Sequence, residues 1–333
     1  MMRILIYLIL FFFCTSQAMA DLQAAKENWD KGEKRLAFNE FVFLAEAGDI
    51  EAQYKLGEIY RRDLKDKSGT NIIVKKDKTK SNHWYKLALE GYSLKAEKGD
   101  GYAYNRLGYM YRLGLGTEKN PLKAKQNYLQ AISIHYDIAE AYAGLLSLPL
   151  SLEEEIKYTL ECVEKKIGYC MKNLGDLHLL GKGVEENLLE AKNWFRQSCD
   201  IGFSFGCFAI AKMHDNPSFW YDTLTFEEKK PSKNILSLMK KEAKPEQAMY
   251  WYYRCYQNGD NQFCIQGMDE LNKKVKKENV GFDYMIDTLP ITSSERKDLK
   301  RDIRKHNKRM EKVRSMSNQE LKDAFNENLI DNE

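Results

Sequence analysis

The chain carries none of the short signatures that announce common catalytic chemistries. H-E-x-x-H, G-x-S-x-G and Walker A sequences are all missing, which leaves zinc-protease, nucleophile-elbow and phosphate-loop mechanisms without support. C-x-x-C is missing too, and His83, His135, His178, His214 and His306 stand singly. Structural zinc needs close paired ligands and a thioredoxin-like dithiol needs its two-residue gap, so no metal and no cofactor is expected. No apolar run approaches the ~20 residues that a membrane-spanning helix requires. Charge of one sign is not in excess either. The formal net charge is +3 with 30% charged residues, which gives no indication of nucleic-acid binding.

What is present begins at the first residues, MMRILIYLILFFFCTSQAMA. A short basic start at Arg3, an apolar run from Ile4 to Phe13 and an A-x-A site at 18–20 form the pattern of a cleavable secretory signal over residues 1–20. The mature chain is then expected to start at Asp21. Phe11, Phe12 and Phe13 before Cys14 argue against lipid modification, because lipoprotein sites end in small residues. Export, to the periplasm or beyond the cell, is the expectation. Cleavage removes Cys14 and leaves Cys162, Cys170, Cys199, Cys207, Cys255 and Cys264. An even cysteine count in an exported chain favours disulfides.

Self-comparison shows repeats with a period of about 36 residues. The strings AQYKLGEIY (52–60), AYNRLGYMYRLGLG (103–116), YCMKNLGDLHLLGKGV (169–184) and GCFAIAKMH (206–214) align on one another. Between them lie AFNEFVFLAEAG (37–48), HWYKLALEG (83–91), AKQNYLQAI (124–132), AKNWFRQSCDIG (191–202) and AMYWYYRCYQNG (248–259), with a degenerate copy over 139–168. Ala191, Trp194, Phe195, Ser198 and Cys199 fall at i, i+3, i+4, i+7 and i+8, one face of a helix. Gly114 and Gly181 are stop signals and Pro121 is a start signal. Each repeat therefore reads as two helices that cannot bury their apolar faces alone and must stack.

The combination LG-x-x-Y-x-x-G-x-G and A-x-x-W-Y-x-x-A-A-x-x-G resembles the Sel1-like repeat, a relative of the tetratricopeptide repeat. The resemblance implies an all-α, right-handed solenoid of helix–turn–helix units over residues 21–271. The cysteine placement is similar to that of a secreted, cysteine-rich branch of the family. There, a cysteine ending the second helix of one repeat bonds a cysteine opening the first helix of the next. Carried over, this implies Cys162–Cys170, Cys199–Cys207 and Cys255–Cys264. Residues eight apart in one unbroken helix lie about 12 Å apart, beyond a disulfide's reach, so the chain must reverse within each pair. Gly168, Gly202 and Gly206 are the residues expected to permit the turns.

Two segments interrupt the period, near 62–80 and 216–244. The first is lysine-rich and expected to be a solvated loop. The second carries Phe219, Trp220 and Tyr221, expected to pack over a repeat, with an exposed anchor for a partner as the sharper alternative. Beyond Leu271 the period ends, and residues 272–333 are expected to be a charged helical extension separable from the solenoid. Thr292 and Glu295 form a capping-box pattern, and a helix should follow to about Val313. Its rows Lys297, Arg301, Lys305, Arg309 and Lys300, Arg304, Lys308, Lys312 cover the end of the stack or touch an anionic surface weakly.

Some cysteine-rich relatives are described as binding or hydrolysing β-lactams, which makes such an enzyme the alternative reading. Its S-x-x-K element occurs at Ser237–Lys240 and Ser294–Lys297, without S-D-N or K-T-G. Roughly two such matches arise by chance, so no catalytic residue is assigned. The expected function is a scaffold that binds a protein or peptide partner.

Overall fold

The computed structural model describes residues 22–67, 69–219, 229–259, 261–277, 286–287, 289 and 291–314. The signal expected over 1–20 lies outside them, as do Trp220 and Tyr221. The fold is helical, and the chain forms two compact units, Met1–Pro149 and Leu150–Glu333.

The first unit holds α1 (22–30), α2 (Lys34–Glu46), α3 (Ile50–Tyr60), α4 (Lys78–Ala96), α5 (Gly101–Leu113), α6 (Pro121–Ser133) and α7 (Ile138–Leu146). Helices α3 to α7 start where a short polar side chain accepts a backbone N–H three residues on, as Asp49 does from Ala52 at 2.8 Å and Asp100 from Ala103 at 3.0 Å. Helix α5 stops at Gly114 with φ 73°, a left-handed cap that a glycine adopts freely. Between α3 and α4 the lysine-rich insertion is not a plain loop. β1 (Leu64–Lys65) pairs antiparallel with β2 (Ile72–Val74), and Val74 is buried in the core of α2 and α3. The β-branched run Ile72–Val74 favours a strand, and the lysines around it stay in solvent.

What fits two helices of a repeat together is an aromatic ring pressed on a glycine. A Cβ placed on Gly57 would lie 2.5 Å from the Tyr85 ring, one on Gly108 2.7 Å from Tyr128, and one on Gly175 2.6 Å from Phe195. Tyr128 is wedged between two glycines, because a Cβ on Gly144 would also meet it at 2.3 Å. The Leu-Gly pairs of the sequence thus mark the seats of the aromatics that the second helices supply.

The second unit holds α8 (Leu152–Glu164), α9 (Gly168–Leu180), α10 (Leu188–Asp200), α11 (Ser204–Asp215), α12 (Lys233–Glu242), α13 (Pro245–Gln257), α14 (Asn261–Lys277) and α15 (Ser293–Arg314). Disulfides join Cys162 to Cys170, Cys199 to Cys207 and Cys255 to Cys264, with Cα–Cα distances of 6.0, 4.8 and 5.8 Å. Each links the end of one helix to the start of the next across a tight reversal. Closing loops this short contributes about 2.5 kcal/mol apiece in the chain-entropy account. The turn residues differ from expectation. Gly202 is left-handed at φ 95°, but in the first junction the left-handed position is Lys166, at φ 57°. Gly168 and Gly206 serve close approach instead: a Cβ on Gly168 would lie 2.5 Å from that of Phe203, and one on Gly206 2.7 Å from the Cys199 nitrogen.

The second insertion forms α12, capped by Ser232, whose Oγ accepts the Ile235 N–H at 3.2 Å. Ile235 and Met239, one turn apart, are buried against the unit's core. The capping box at the start of α15 is formed: Glu295 N donates to Thr292 Oγ1 at 3.3 Å and Thr292 N to Glu295 Oε2 at 2.8 Å. The extension does not stand apart from the repeats, however. Leu299 is 0% and Ile303 2% exposed, in the same core as Trp251, Tyr252 and Leu271. The stripe of apolar residues on α15 is thin, but it falls on the terminal repeat, whose apolar face has no further repeat to cover it.

Two substitutions test this packing. Gly108→Ala is expected to lower unfolding free energy by about 1–3 kcal/mol through overpacking against Tyr128, read by urea denaturation. Leu299→Ala is expected to cost about 2–5 kcal/mol by opening a cavity; a change below the error of the same measurement would show that α15 is a separable arm.

Candidate functional site

Helices α3 and α5 open successive repeats, and the partly exposed residues of α5 include Tyr102, Arg106, Tyr109 and Arg112. On α5, Gly101, Ala103, Asn105, Leu107, Gly108 and Met110 are buried, while Tyr102, Arg106 and Tyr109, at i, i+4 and i+7, form a half-buried row, with half-buried Arg112 beside it on the Asn105–Gly108 side. Glu51 reaches over from the first turn of α3. Tyr92 Oη donates to Glu51 Oε1 at 2.6 Å, Tyr102 Oη donates to Glu51 Oε2 at 2.7 Å, and Arg106 Nε donates to Tyr102 Oη at 2.8 Å. The rings run on as edge contacts: Tyr85–Tyr54 at 5.5 Å, Tyr54–Tyr92 at 6.3 Å, Tyr92–Tyr102 at 6.0 Å and Tyr102–Tyr136 at 6.1 Å. The Arg106 guanidinium lies 4.9 Å from the Tyr102 centroid and 5.5 Å from that of Tyr54. Arg112 lies 5.1 Å from Tyr109.

The electrostatics of the cluster follow from burial. Burial pushes the Tyr102 hydroxyl up to about 12, and the Tyr54 and Tyr92 hydroxyls further in the same direction. All three remain protonated donors at physiological pH, and two of them hold Glu51. The cluster is not closed. Tyr85 Oη, Asn105 Oδ1 and Arg112 Nε are buried without a hydrogen-bond partner, and Arg106 makes no ion pair among the described residues. Native cores leave few such groups, and all three are enclosed, so the donors a partner can reach are those of Arg106.

In the second unit the cation on α11 is instead paired within the chain. Lys212, 8% exposed, pairs with Asp215 at 3.8 Å and Glu270 at 3.6 Å. Its ammonium lies 5.4 Å from both the Phe208 and Phe219 centroids and 5.7 Å from Tyr252. Phe219 itself is half-buried and meets Phe208 edge-on at 6.2 Å. Ser237 and Lys240 on α12, and Ser294 and Lys297 on α15, lie on the exposed sides of their helices. The tyrosine–arginine face was missed in the sequence. Its signal was there, in the recurrence of Tyr and Arg at i, i+4 and i+7 on α5.

Fold and face together define an α-helical repeat protein of the interaction-scaffold class. Residues 50–92, 101–133, 168–203 and 239–260 match the Sel1 repeat, and the chain belongs to the Sel1-like repeat family. No curated protein matches the sequence. Among solved structures, a Sel1 repeat protein from Oxalobacter formigenes is 19% identical with a TM-score of 0.42, over 84% of this chain and 95% of that one. A protective antigen of uropathogenic Escherichia coli displaying an SLR fold is 16% identical, TM-score 0.38, over 92% and 74%. An immunity protein of Pseudomonas aeruginosa is 18% identical, TM-score 0.41, over 73% and 82%.

The repeat's closing aromatic, Tyr60 and Tyr111 in the first unit, is replaced by His178 and His214 in the second. His178 Nδ1 lies 3.1 Å from the Glu185 carbonyl oxygen. His214 Nδ1 is buried without a partner, and burial, reinforced by Lys192, holds the imidazole below its usual range. The folded state therefore favours the neutral ring. The stability this contributes is complete above the unfolded value near 6.5 and is lost as pH falls through the depressed folded value. His214→Phe is expected to remove that part of the loss of stability between pH 7 and pH 5, measured as urea midpoints. An unchanged pH profile would contradict the assignment.

Proposed function

We propose that the chain is an exported Sel1-like scaffold that binds a protein or peptide partner through the α3–α5 face, in the bacterial envelope or outside the cell. One observation carries the reading. Tyr102, Arg106 and Tyr109 form a half-buried row on α5, and the two Nη atoms of Arg106 find no partner among the described residues. Tyr and Arg dominate binding hot spots because they combine large contact area with directional donors. A groove already held rigid by packing loses little entropy on binding. Export is supported by the opening sequence pattern and by three cysteine pairs at bonding distance, which need an oxidising compartment.

In this reading the solenoid occupies residues 21–271 and the extension 272–333. Among the described residues no helix is long and apolar enough to cross a membrane. Contact of α15 with an anionic surface would be weak and secondary. Lys300 pairs with Asp287 at 3.1 Å and Arg301 with Asp298 at 2.6 Å, which leaves Lys297, Arg304, Lys305 and Lys308 exposed on that helix.

The test is a photo-cross-linking amino acid placed at Tyr109 in the native host, and, separately, at Leu122, exposed on α6. The expected outcome is a discrete adduct from position 109 and none from 122, on a chain that begins at Asp21 and is oxidised at all six cysteines. The same adducts from both positions, or none from either, would overturn the assignment of the face.

A further inference from the structure

Arg106 is a half-buried cation with no carboxylate partner among the described residues. The nearby carboxyl group, Glu51, is held by the Tyr92 and Tyr102 hydroxyls at 2.6 and 2.7 Å. Tyr102 in turn accepts the Arg106 Nε–H at 2.8 Å. Of the five guanidinium N–H donors, this uses one, and the remaining four, on the two Nη atoms, have no partner among the described residues. The Tyr102 and Tyr54 rings hold the group in place, at 4.9 and 5.5 Å from it. A partly desolvated charge without a counter-ion is costly, whereas an oriented guanidinium fork matches a carboxylate in two parallel hydrogen bonds.

Resting on the proposed scaffold function, we infer that Arg106 is the specificity-determining residue of the face and that it reads one carboxylate of an acidic peptide segment. The surroundings select this class of ligand. Glu51 and Glu58 on α3 oppose a polyanion, so a nucleic-acid backbone or a phosphate cluster is disfavoured, while a single negative charge is tolerated. Tyr102 and Tyr136, in edge contact at 6.1 Å and backed by the buried rings of Tyr54 and Tyr92, offer apolar and hydroxyl contacts to a chain lying beside the charge. Tyr136 is 37% exposed. A side chain and a chain terminus both present the same two carboxylate oxygens.

The test starts from random twelve-residue peptides displayed on phage and selected on the full, oxidised chain. Enriched sequences are made synthetically and binding is read by fluorescence anisotropy. Enriched peptides are expected to carry Asp or Glu, and Arg106→Met is expected to weaken them at least tenfold with an unchanged thermal midpoint. Arg106→Lys should recover part of the loss. Replacing the peptide's Glu by Gln should weaken binding to the natural chain by a similar factor and leave binding to Arg106→Met unaltered. If Arg106→Met does not fold, the peptide substitution on the natural chain and Arg106→Lys read the same interaction. Comparison of free-acid and amidated peptides assigns the carboxylate to a terminus or to a side chain. Peptides that bind without an acidic group, or indifferently to Arg106→Met, overturn the carboxylate reading and leave the scaffold standing. A selection that enriches nothing overturns both.

Discussion

The interaction on which this fold depends is the contact between an aromatic ring on the second helix of a repeat and a bare glycine backbone on the first. With a methyl group at Gly57, Gly108 or Gly175 the ring of Tyr85, Tyr128 or Phe195 would sit 2.5–2.7 Å away, so the helices could not approach as they do. Glycine within a helix costs roughly 1 kcal/mol against alanine; burying a whole aromatic side chain in the space it leaves more than offsets this. Tyr128, seated against both Gly108 and Gly144, couples one repeat to the next. Stacking therefore follows from the same contact that forms the pair.

The two units secure their junctions by different means. In the first, side-chain hydrogen bonds and tyrosine edges join successive repeats, as where Glu51 of one accepts from Tyr102 of the next. In the second, disulfides take that role, and neighbouring groups reinforce them. Asn258 Nδ2, at the end of α13, donates to the Cys199 carbonyl at 2.8 Å and lies 3.2 Å from Cys207 Sγ. Polar capacity is spent on the junctions in the first unit and survives as an open face around Arg106, whereas Lys212 of the second is paired within the chain.

Much of this was legible in the residues. Helix pairs, their glycine and proline punctuation and the Thr292–Glu295 cap all follow from local rules, and these elements form where the pattern put them. The misses have a common physical origin. Lys166 takes a left-handed conformation usually left to glycine because the Cys162–Cys170 junction forces the reversal, while Gly168 is required by Phe203, a residue far along the chain. The strand Ile72–Val74 is hidden by the lysines around it. Leu299 and Ile303 look sparse on a charged helix, yet two apolar residues suffice when the partner surface is the open end of a stack. The role of Arg106 depends on what surrounds it in space, and residue type alone does not carry that.

The position of the disulfides also has a mechanical meaning. All three span the junctions between consecutive helices in the second unit and none lies in the first. Under tension, an extended chain yields roughly 3.5 Å per residue, so each bond, after its own Cα–Cα span is subtracted, withholds about 22–26 Å of extension while it remains oxidised. The chain between the bonds still pays out, so what the disulfides hold back in the second unit is the parting of neighbouring helices at their turns. Under tension the repeats of the first unit come apart at every turn, whereas in the second each bond keeps the last turn of one helix beside the first turn of the next.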